Sequence, residues 1–401
     1  MTTMSKKELI SATKPRYLKA DKQEKTKILD EFCKNTGHNR KYAIKILQAG
    51  YDNNSLARIG RKHRKKIYTA EVILTVIKIW ELLEFPCGQR LKPMLIPMLD
   101  SLARCDELKV SAEIRNKLEM ISSKTLDRRL ARERGIRRLK RNRGTTRHGS
   151  LLKSSIPIRI TDWDASEVGF MEIDTVAHNG GDPAGAFIYS LDAVEIYSGW
   201  SEQIAVLGKG EQGIVKAVNQ IKQIIPFSLA GLDNDGGSEF INWHLVRYCE
   251  TNKLFFTRSR PDRKNDNAYV EQKNNTHIRQ WLGYGRYDQE KQLELINNLY
   301  RNELRLFNNF FRPVMKIKSK EKINNSVCKK IYDIAKTPCQ RLIESKQISN
   351  KQKRELTKIY LSLNPVKLKT IINQKIKKIK ESQSKILYVP TTRTKVTFLN
   401  D

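Results

Sequence analysis

Apolar positions along this chain repeat with two periods, and the change of period marks its organisation. Up to about residue 150 the spacing is three or four, that of one helix face. Asp21 stands as an N-cap with Glu24 three residues on, and Ile28, Leu29 and Phe32 form an apolar stripe. Asn35-Thr-Gly37 supplies a turn, and 39–47 a second helix with Ala43, Ile44 and Leu47 inward. This is the pattern of a helix-turn-helix that leaves Arg40, Lys41 and Lys45 available to DNA, although any two short helices joined through glycine share it. Thr69-Ala-Glu-Val72 opens an apolar helix running to about Leu83, and Ser111 opens another ending near Ile121. Ser122-Ser123 break that helix before a second candidate recognition helix, with Lys124, Arg128 and Arg129 as its basic positions. The arginine-rich stretch 132–147, interrupted by Gly135 and Gly144, reads as a DNA-tracking linker or as a solvated charged helix.

From residue 168 the reading changes to alternating strands and helices. Segments 168–176, 186–193 and 198–207 predict an antiparallel meander, with turns at Gly180-Gly181 and at 196–199. A helix over 211–225 is marked by Ile214, Val218, Ile221 and Ile225. A strand at 227–232, a helix at 238–252, a strand at 254–257 and a helix at 266–282 follow. This is the element order of a ribonuclease-H-like α/β fold, with a mixed five-stranded sheet. Beyond it, 293–311 reads as a helix, 316–330 as a basic extended segment, and 349–380 as helix broken at Asn364-Pro365. The leucines and isoleucines of that last stretch have spacings that suit self-association, but ordinary packing on the rest of the chain explains them better. The predicted organisation is multidomain. A helix-turn-helix unit (1–60) and a second helical unit with a basic linker (61–150) precede the α/β core (160–290) and a basic, mainly helical C-terminal region (291–401).

Charge sharpens this division. The 401 residues carry a formal net charge of +33. Residues 161–290 hold 12 basic and 19 acidic side chains, a net of −7, so the remainder carries +40. Basic arms neutralise phosphates and release counterions, and an acidic core collects carboxylates for metal. Charge alone would also suit a ribosome-associated or generic RNA-binding protein. The six cysteines (33, 87, 105, 249, 328, 339) include no Cys-x-x-Cys pair, which argues for reduced thiols and against a disulfide framework or a cysteine-rich zinc site. With a polar, basic N-terminus and Val72-Ile-Leu-Thr-Val-Ile77 as the longest apolar run, a cytoplasmic, nucleoid-associated protein without a membrane partner is expected.

Three acids stand in informative surroundings. Asp174 lies in the strand-like Val168-Gly-Phe-Met-Glu-Ile-Asp-Thr175, and Asp235 in Leu232-Asp-Asn-Asp-Gly-Gly-Ser-Glu-Phe240. Glu271 follows after 35 intervening residues, in Asn265-Asp-Asn-Ala-Tyr-Val-Glu-Gln-Lys273. Together with Ser259-Arg-Pro261, and more weakly Phe310-Phe-Arg-Pro-Val-Met315, Tyr332-Asp333 and Thr337-Pro338, these pieces resemble insertion-sequence transposases of the retroviral-integrase superfamily. That group is called DDE after its acidic triad.

The resemblance implies a metal-dependent polynucleotidyl transferase using two Mg²⁺ or Mn²⁺ ions. Asp174 would bridge both ions, and Asp235 and Glu271 would each hold one. Two such ions about 3.5–4 Å apart hold the attacking and leaving oxygens of an in-line displacement, and hard cations prefer carboxylate oxygens. Implied partners are double-stranded DNA, as element ends and target, and further copies of the chain on that DNA. Asp233 is the alternative to Asp235, since residues two apart in a strand share a face; the family pattern selects the acid directly before the glycine turn. Asp192 and Asp266 are expected in turns or caps. Lys264, Asn267, Lys273, Asn274 and Arg279 are candidate phosphate or base contacts near the reactive end, with Lys273 and Arg279 equally readable as solvated. His178, His244, His38 and Cys33 lack paired ligand spacing, so the His-His-Cys-Cys zinc module of retroviral integrases is not expected. A catalytically silent repressor and a structure-specific nuclease of the same fold are the competing readings.

Overall fold

The computed structural model describes residues 3–48, 67–137, 167–208, 210–234, 240, 243–258, 268–322 and 328–383. The chain divides into two compact units, Met1–Ile67 and Tyr68–Asp401.

The first unit packs three helices, α1 (Thr3–Lys19), α2 (Lys22–Thr36) and α3 (Arg40–Gln48). Asp21 caps α2 as predicted, its carboxylate accepting the Glu24 N–H at 2.8 Å. Helix α2 runs two residues further than expected, through Thr36, and Gly37 ends it at φ +70°, a conformation that only glycine adopts without strain. The turn is therefore Gly37-His-Asn39. Ile28, Leu29, Phe32, Ala43, Ile46 and Leu47 bury themselves against Ile10 and Tyr17 of α1, a helix the sequence reading left unassigned.

The second unit contains helices α4 (Ala70–Leu82), α5 (Gly88–Arg104), α6 (Ala112–Met120) and α7 (Ser123–Ile136). Ser111 and Ser122 cap α6 and α7 by accepting the N–H groups of Ile114 and Thr125. Gly135 lies inside α7, so helix occupies the start of the expected linker, and 138–166 lies outside the described residues. Strands β1 (Phe170–Ala177), β2 (Ile188–Glu195), β3 (Ser201–Leu207), β4 (Gly231–Asn234) and β5 (Phe255–Arg258) form one sheet in the order β3-β2-β1-β4-β5. The first three are antiparallel neighbours; β4 runs parallel to both β1 and β5. Helix α8 (Glu211–Ile224) leads into β4, and α9 (Trp243–Thr251) joins β4 to β5. A continuous helical stretch then comprises α10 (Ala268–Lys273), a π-helical segment (Asn274–Arg279) and α11 (Gln280–Leu282). The sheet has the strand order and mixed pairing of the predicted ribonuclease-H-like core.

The predicted helix at 293–311 is α12 (Glu290–Leu299), a π turn (Tyr300–Leu304) and α13 (Arg305–Phe310) in succession. The basic extended segment is an antiparallel hairpin of β6 (Ile317–Lys322) and β7 (Cys328–Tyr332). After α14 (Pro338–Glu344) come α15 (Asn350–Ser362) and α16 (Pro365–Glu381), divided where Asn364 caps the second and Pro365 starts it. Leu368, Ile372, Ile376 and Ile379 of α16 are buried, and they share one hydrophobic core with Trp80 of α4, Leu95 of α5 and Ile204 of β3. Ordinary packing thus accounts for that periodic stripe. None of the described helices is long and apolar enough to cross a membrane.

Gly231 starts β4 in a confined space: a Cβ there would lie 2.9 Å from both the Phe255 carbonyl oxygen and the Phe170 ring. Gly231→Ala should therefore lower stability by about 1–3 kcal/mol through overpacking. Urea unfolding of the full chain checks this; an unchanged midpoint contradicts the tight β1–β4–β5 junction.

Candidate active site on the central strand

Alternation along β1 puts Glu172 and Asp174 on one face of the sheet. Register brings more acid to that face. Asp192 on β2 stands opposite Asp174, and Asp233 on β4 stands beside Glu172. Gln203 on β3 is opposite Asp192, and Thr257 on β5 is beside Asp233. Helix α10 and the π segment cover this face. The Val270 N–H donates to Glu172 Oε2 at 3.1 Å, and Asn274 Nδ2 donates to Asp174 Oδ2 at 2.5 Å. These two bonds bracket Glu271 along the helix and pin its backbone above β1.

The four acids differ in exposure, and so in what they can do. Glu172, Asp192 and Asp233 are at most 1% exposed, whereas Asp174 is half-buried. Asp192 Oδ1 accepts from Gln203 Nε2 at 2.8 Å, and Asp233 Oδ1 accepts from the Thr257 hydroxyl at 2.6 Å. Burial pushes the Asp192 carboxyl up to about 7, against the pull of Gln203 and Lys273. Asp174 also accepts the Thr175 N–H at 2.7 Å. An amide and a backbone N–H orient that carboxylate.

Beside the acids runs a buried chain of polar side chains. Lys273 Nζ lies 3.2 Å from His277 Nε2, and His277 Nδ1 lies 2.9 Å from Ser201 Oγ. Burial lowers the Lys273 ammonium to about 7, reinforced by the charges of Arg312 and Arg90. It also holds His277 well below the ordinary imidazole range, as does the neighbouring Lys273 charge. The π geometry inserts a residue into the turn that carries these contacts. Asn274 thereby reaches Asp174 while His277 and Ile278 remain buried.

Several expected contacts take different roles. Asn274 is directed at Asp174, and Lys273 is buried against His277. Arg279 donates to the Ala177 carbonyl at 2.8 Å, with its guanidinium 4.8 Å from the Tyr284 ring centre. A helix lying on a sheet turns one stripe inward, and these residues belong to it. Asp192 is neither turn nor cap but a buried mid-strand residue. Asp235, Lys264, Asp266 and Asn267 lie outside the described residues, and Glu271 is described in its backbone alone. Arg40, Lys41 and Lys45 on α3 are exposed, Arg40 being ion-paired with Asp30; Lys124, Arg128 and Arg129 on α7 are exposed as well. His178 is buried, sharing Ser190 Oγ with Tyr300 Oη at 2.8 and 2.7 Å. The sequence reading missed Glu172 and the Gln203–His277 chain; an acid two residues before Asp174 in a strand was the available signal.

Asn274→Asp would set two carboxylates against each other. The folded pair would hold a proton more readily than the unfolded chain, whose aspartates titrate near about 3.9. The resulting loss of stability should thus be fully present at pH 7, shrink as pH falls through the raised folded value, and vanish below the unfolded one. Thermal unfolding between pH 7 and 4 measures this; a deficit independent of pH contradicts the Asn274–Asp174 contact.

Among the described residues no group of three or more His, Cys, Asp or Glu side chains converges as a metal cage. No protein-family model matches the chain. Solved structures similar to part of it include the catalytic core domain of BIV integrase, at 15% identity and a TM-score of 0.28 over 36% of this chain and 84% of that one. Another is the HTLV-2 integrase catalytic core domain in complex with magnesium, in a dimeric form, at 13% identity and a TM-score of 0.27 over 36% of this chain and 89% of that one. Over 328 residues the chain is 35% identical to the uncharacterized protein y4rM of Sinorhizobium fredii, spanning 81% of this chain and 91% of that protein, and it belongs to the same family.

Proposed function

We propose that this protein is a metal-dependent DNA strand transferase of the transposase type. It would cleave a phosphodiester at the ends of a mobile element and join the resulting 3′-hydroxyl to target DNA. The observation that carries this reading is the pinning of the Glu271-bearing helix over β1 by the Val270–Glu172 and Asn274–Asp174 bonds. It brings the elements of the first and third acids together, while β4, whose last residue Asn234 pairs with Ile173, ends one residue before Asp235.

The donor chemistry fits a hard divalent cation. Asp174 presents an oriented, half-exposed carboxylate, and Asp235 and Glu271 add oxygen donors. Bound there, Mg²⁺ or Mn²⁺ would polarise the attacking group and stabilise charge on the phosphate. The protein's own part is positional. Asn274 holds Asp174 in one orientation, and Thr257 holds Asp233 inside the sheet, which supports Asp235, the acid before the glycine turn, as the second ligand of this proposal. The exposed basic faces of α3 and α7 would bind duplex DNA, with phosphate contacts supplying affinity.

Two experiments test this. On labelled DNA carrying the sequences that flank the gene, wild type with Mg²⁺ or Mn²⁺ should cleave and join strands. Asp174→Asn, Asp235→Asn and Glu271→Gln should each lose on the order of 100-fold or more, equivalent to a few kcal/mol of transition-state stabilisation, whereas Asp233→Asn retains activity. Tight end-binding without cleavage by wild type would instead identify a silent binding protein. In the second experiment, Lys41→Ala with Lys45→Ala should weaken duplex binding and reduce the log–log salt slope by about 2, roughly one per lost phosphate contact. An unchanged slope would remove α3 from the interface.

A further inference from the structure

Behind the helix that carries Glu271 lies a small pocket whose charge is all of one sign. It is bounded by Arg90 in the first turn of α5, by Gln272, Lys273, Thr276 and His277 of the α10–π stretch, and by Arg312 just after α13. Its enclosed volume is about 30 Å³, and it opens to solvent. One water needs about 10–15 Å³ of such space, so the pocket suits about two oxygen atoms of a larger group.

No described carboxylate lines it. Arg312 uses its N–H groups on neutral acceptors, the Thr276 carbonyl at 2.7 Å and Gln280 Oε1 at 3.2 Å. Lys273, 8% exposed, meets the His277 imidazole. Guanidinium groups stay protonated at neutral pH, so losing a proton does not relieve the repulsion between Arg90 and Arg312. Buried charges are ordinarily paired; buried Lys273 draws on the Asp192 carboxylate, whereas half-exposed Arg90 and Arg312 repel each other at the cavity they both line. An anion with several acceptor oxygens and fork-compatible geometry would satisfy them.

We propose that this pocket receives the non-bridging oxygens of one DNA backbone phosphate, fixing the bound strand relative to Asp174. The choice of DNA as the source rests on the strand-transfer reading above. Lys273 is two residues from Glu271 on the same helix but on another face, so a phosphate held there belongs to strand passing behind that helix rather than to the reactive bond itself. Arg90 is the informative position, because it is half-exposed and reaches the pocket from a different helix.

The test uses the full chain and two readouts, with Arg90→Gln and Arg90→Lys beside wild type. Duplex binding is titrated with salt, and thermal unfolding is followed with inorganic phosphate at constant ionic strength. Arg90→Gln should reduce the salt slope by about 1 and lose at least half of the phosphate-dependent rise in Tm, while Arg90→Lys keeps both. If Arg90→Gln matches wild type in both readouts, the pocket binds no phosphate and the proposal falls. Loss of the phosphate effect with an unchanged salt slope overturns DNA as the source, in favour of a small phosphorylated ligand. A lower slope with no phosphate effect in wild type makes Arg90 an ordinary surface contact, which also overturns the pocket. Wild type that binds no duplex refutes the strand-transfer reading, and the phosphate readout still decides whether the pocket takes an anion.

Discussion

Carboxylates placed on the middle strand of a sheet need hydrogen-bond donors, because an ionised group taken out of water without partners is costly. The core of this protein is built around that requirement. β1 carries two acids on one face, and its neighbours add Asp192 and Asp233. Gln203 and Thr257 serve the outer pair from the flanking strands. Helix α10 and its π extension serve the inner pair. The helix is consequently located by polar bonds as well as by apolar packing through Val270 and Ile278. Its position above β1 is what would give Glu271 a place in the proposed site.

The same arrangement separates what is structural from what is available for chemistry. The deepest acids are sealed, while Asp174 keeps contact with solvent. Lys273, His277, Gln203 and Ser201 fill the space beneath the helix with a hydrogen-bonded chain. Such a network stiffens with each member satisfied, and Gln203 Oε1 has no hydrogen-bond partner among the described residues. A hydrogen-bonded floor would suit the strand-transfer site proposed above. Exposed basic residues occupy α3 and α7, and Arg90 and Arg312 join Lys273 around the pocket, in keeping with a core of net −7 in a chain of +33.

Much of this was legible from local chemistry. Asp21, Ser111, Ser122 and Asn364 are short polar side chains before apolar runs, and each caps a helix because its oxygen reaches an unpaired N–H. The meander was readable from its alternation, although every residue of β2 is buried and Asp192 within it therefore reads from sequence as a turn or cap residue. Helix α5 escaped notice because Pro93 and Pro97 lie inside it, where proline ordinarily ends a helix. The inward turn of Lys273, Asn274 and Arg279 escaped for another reason. Their direction depends on a π segment, and no pattern of apolar positions encodes an extra residue in a turn. Long-range partners such as Gln203 with Asp192 depend on strand register, which becomes visible only once the sheet is assembled.

The most direct measurement is an anomalous diffraction map from crystals soaked in Mn²⁺. The account predicts density at coordination distance from Asp174, on the face of β1 that the Glu271 helix covers, with Asp235 and Glu271 completing the oxygen shell. Density held instead by Asp233 or Asp192, or no site at Asp174 in crystals saturated with Mn²⁺, would contradict it.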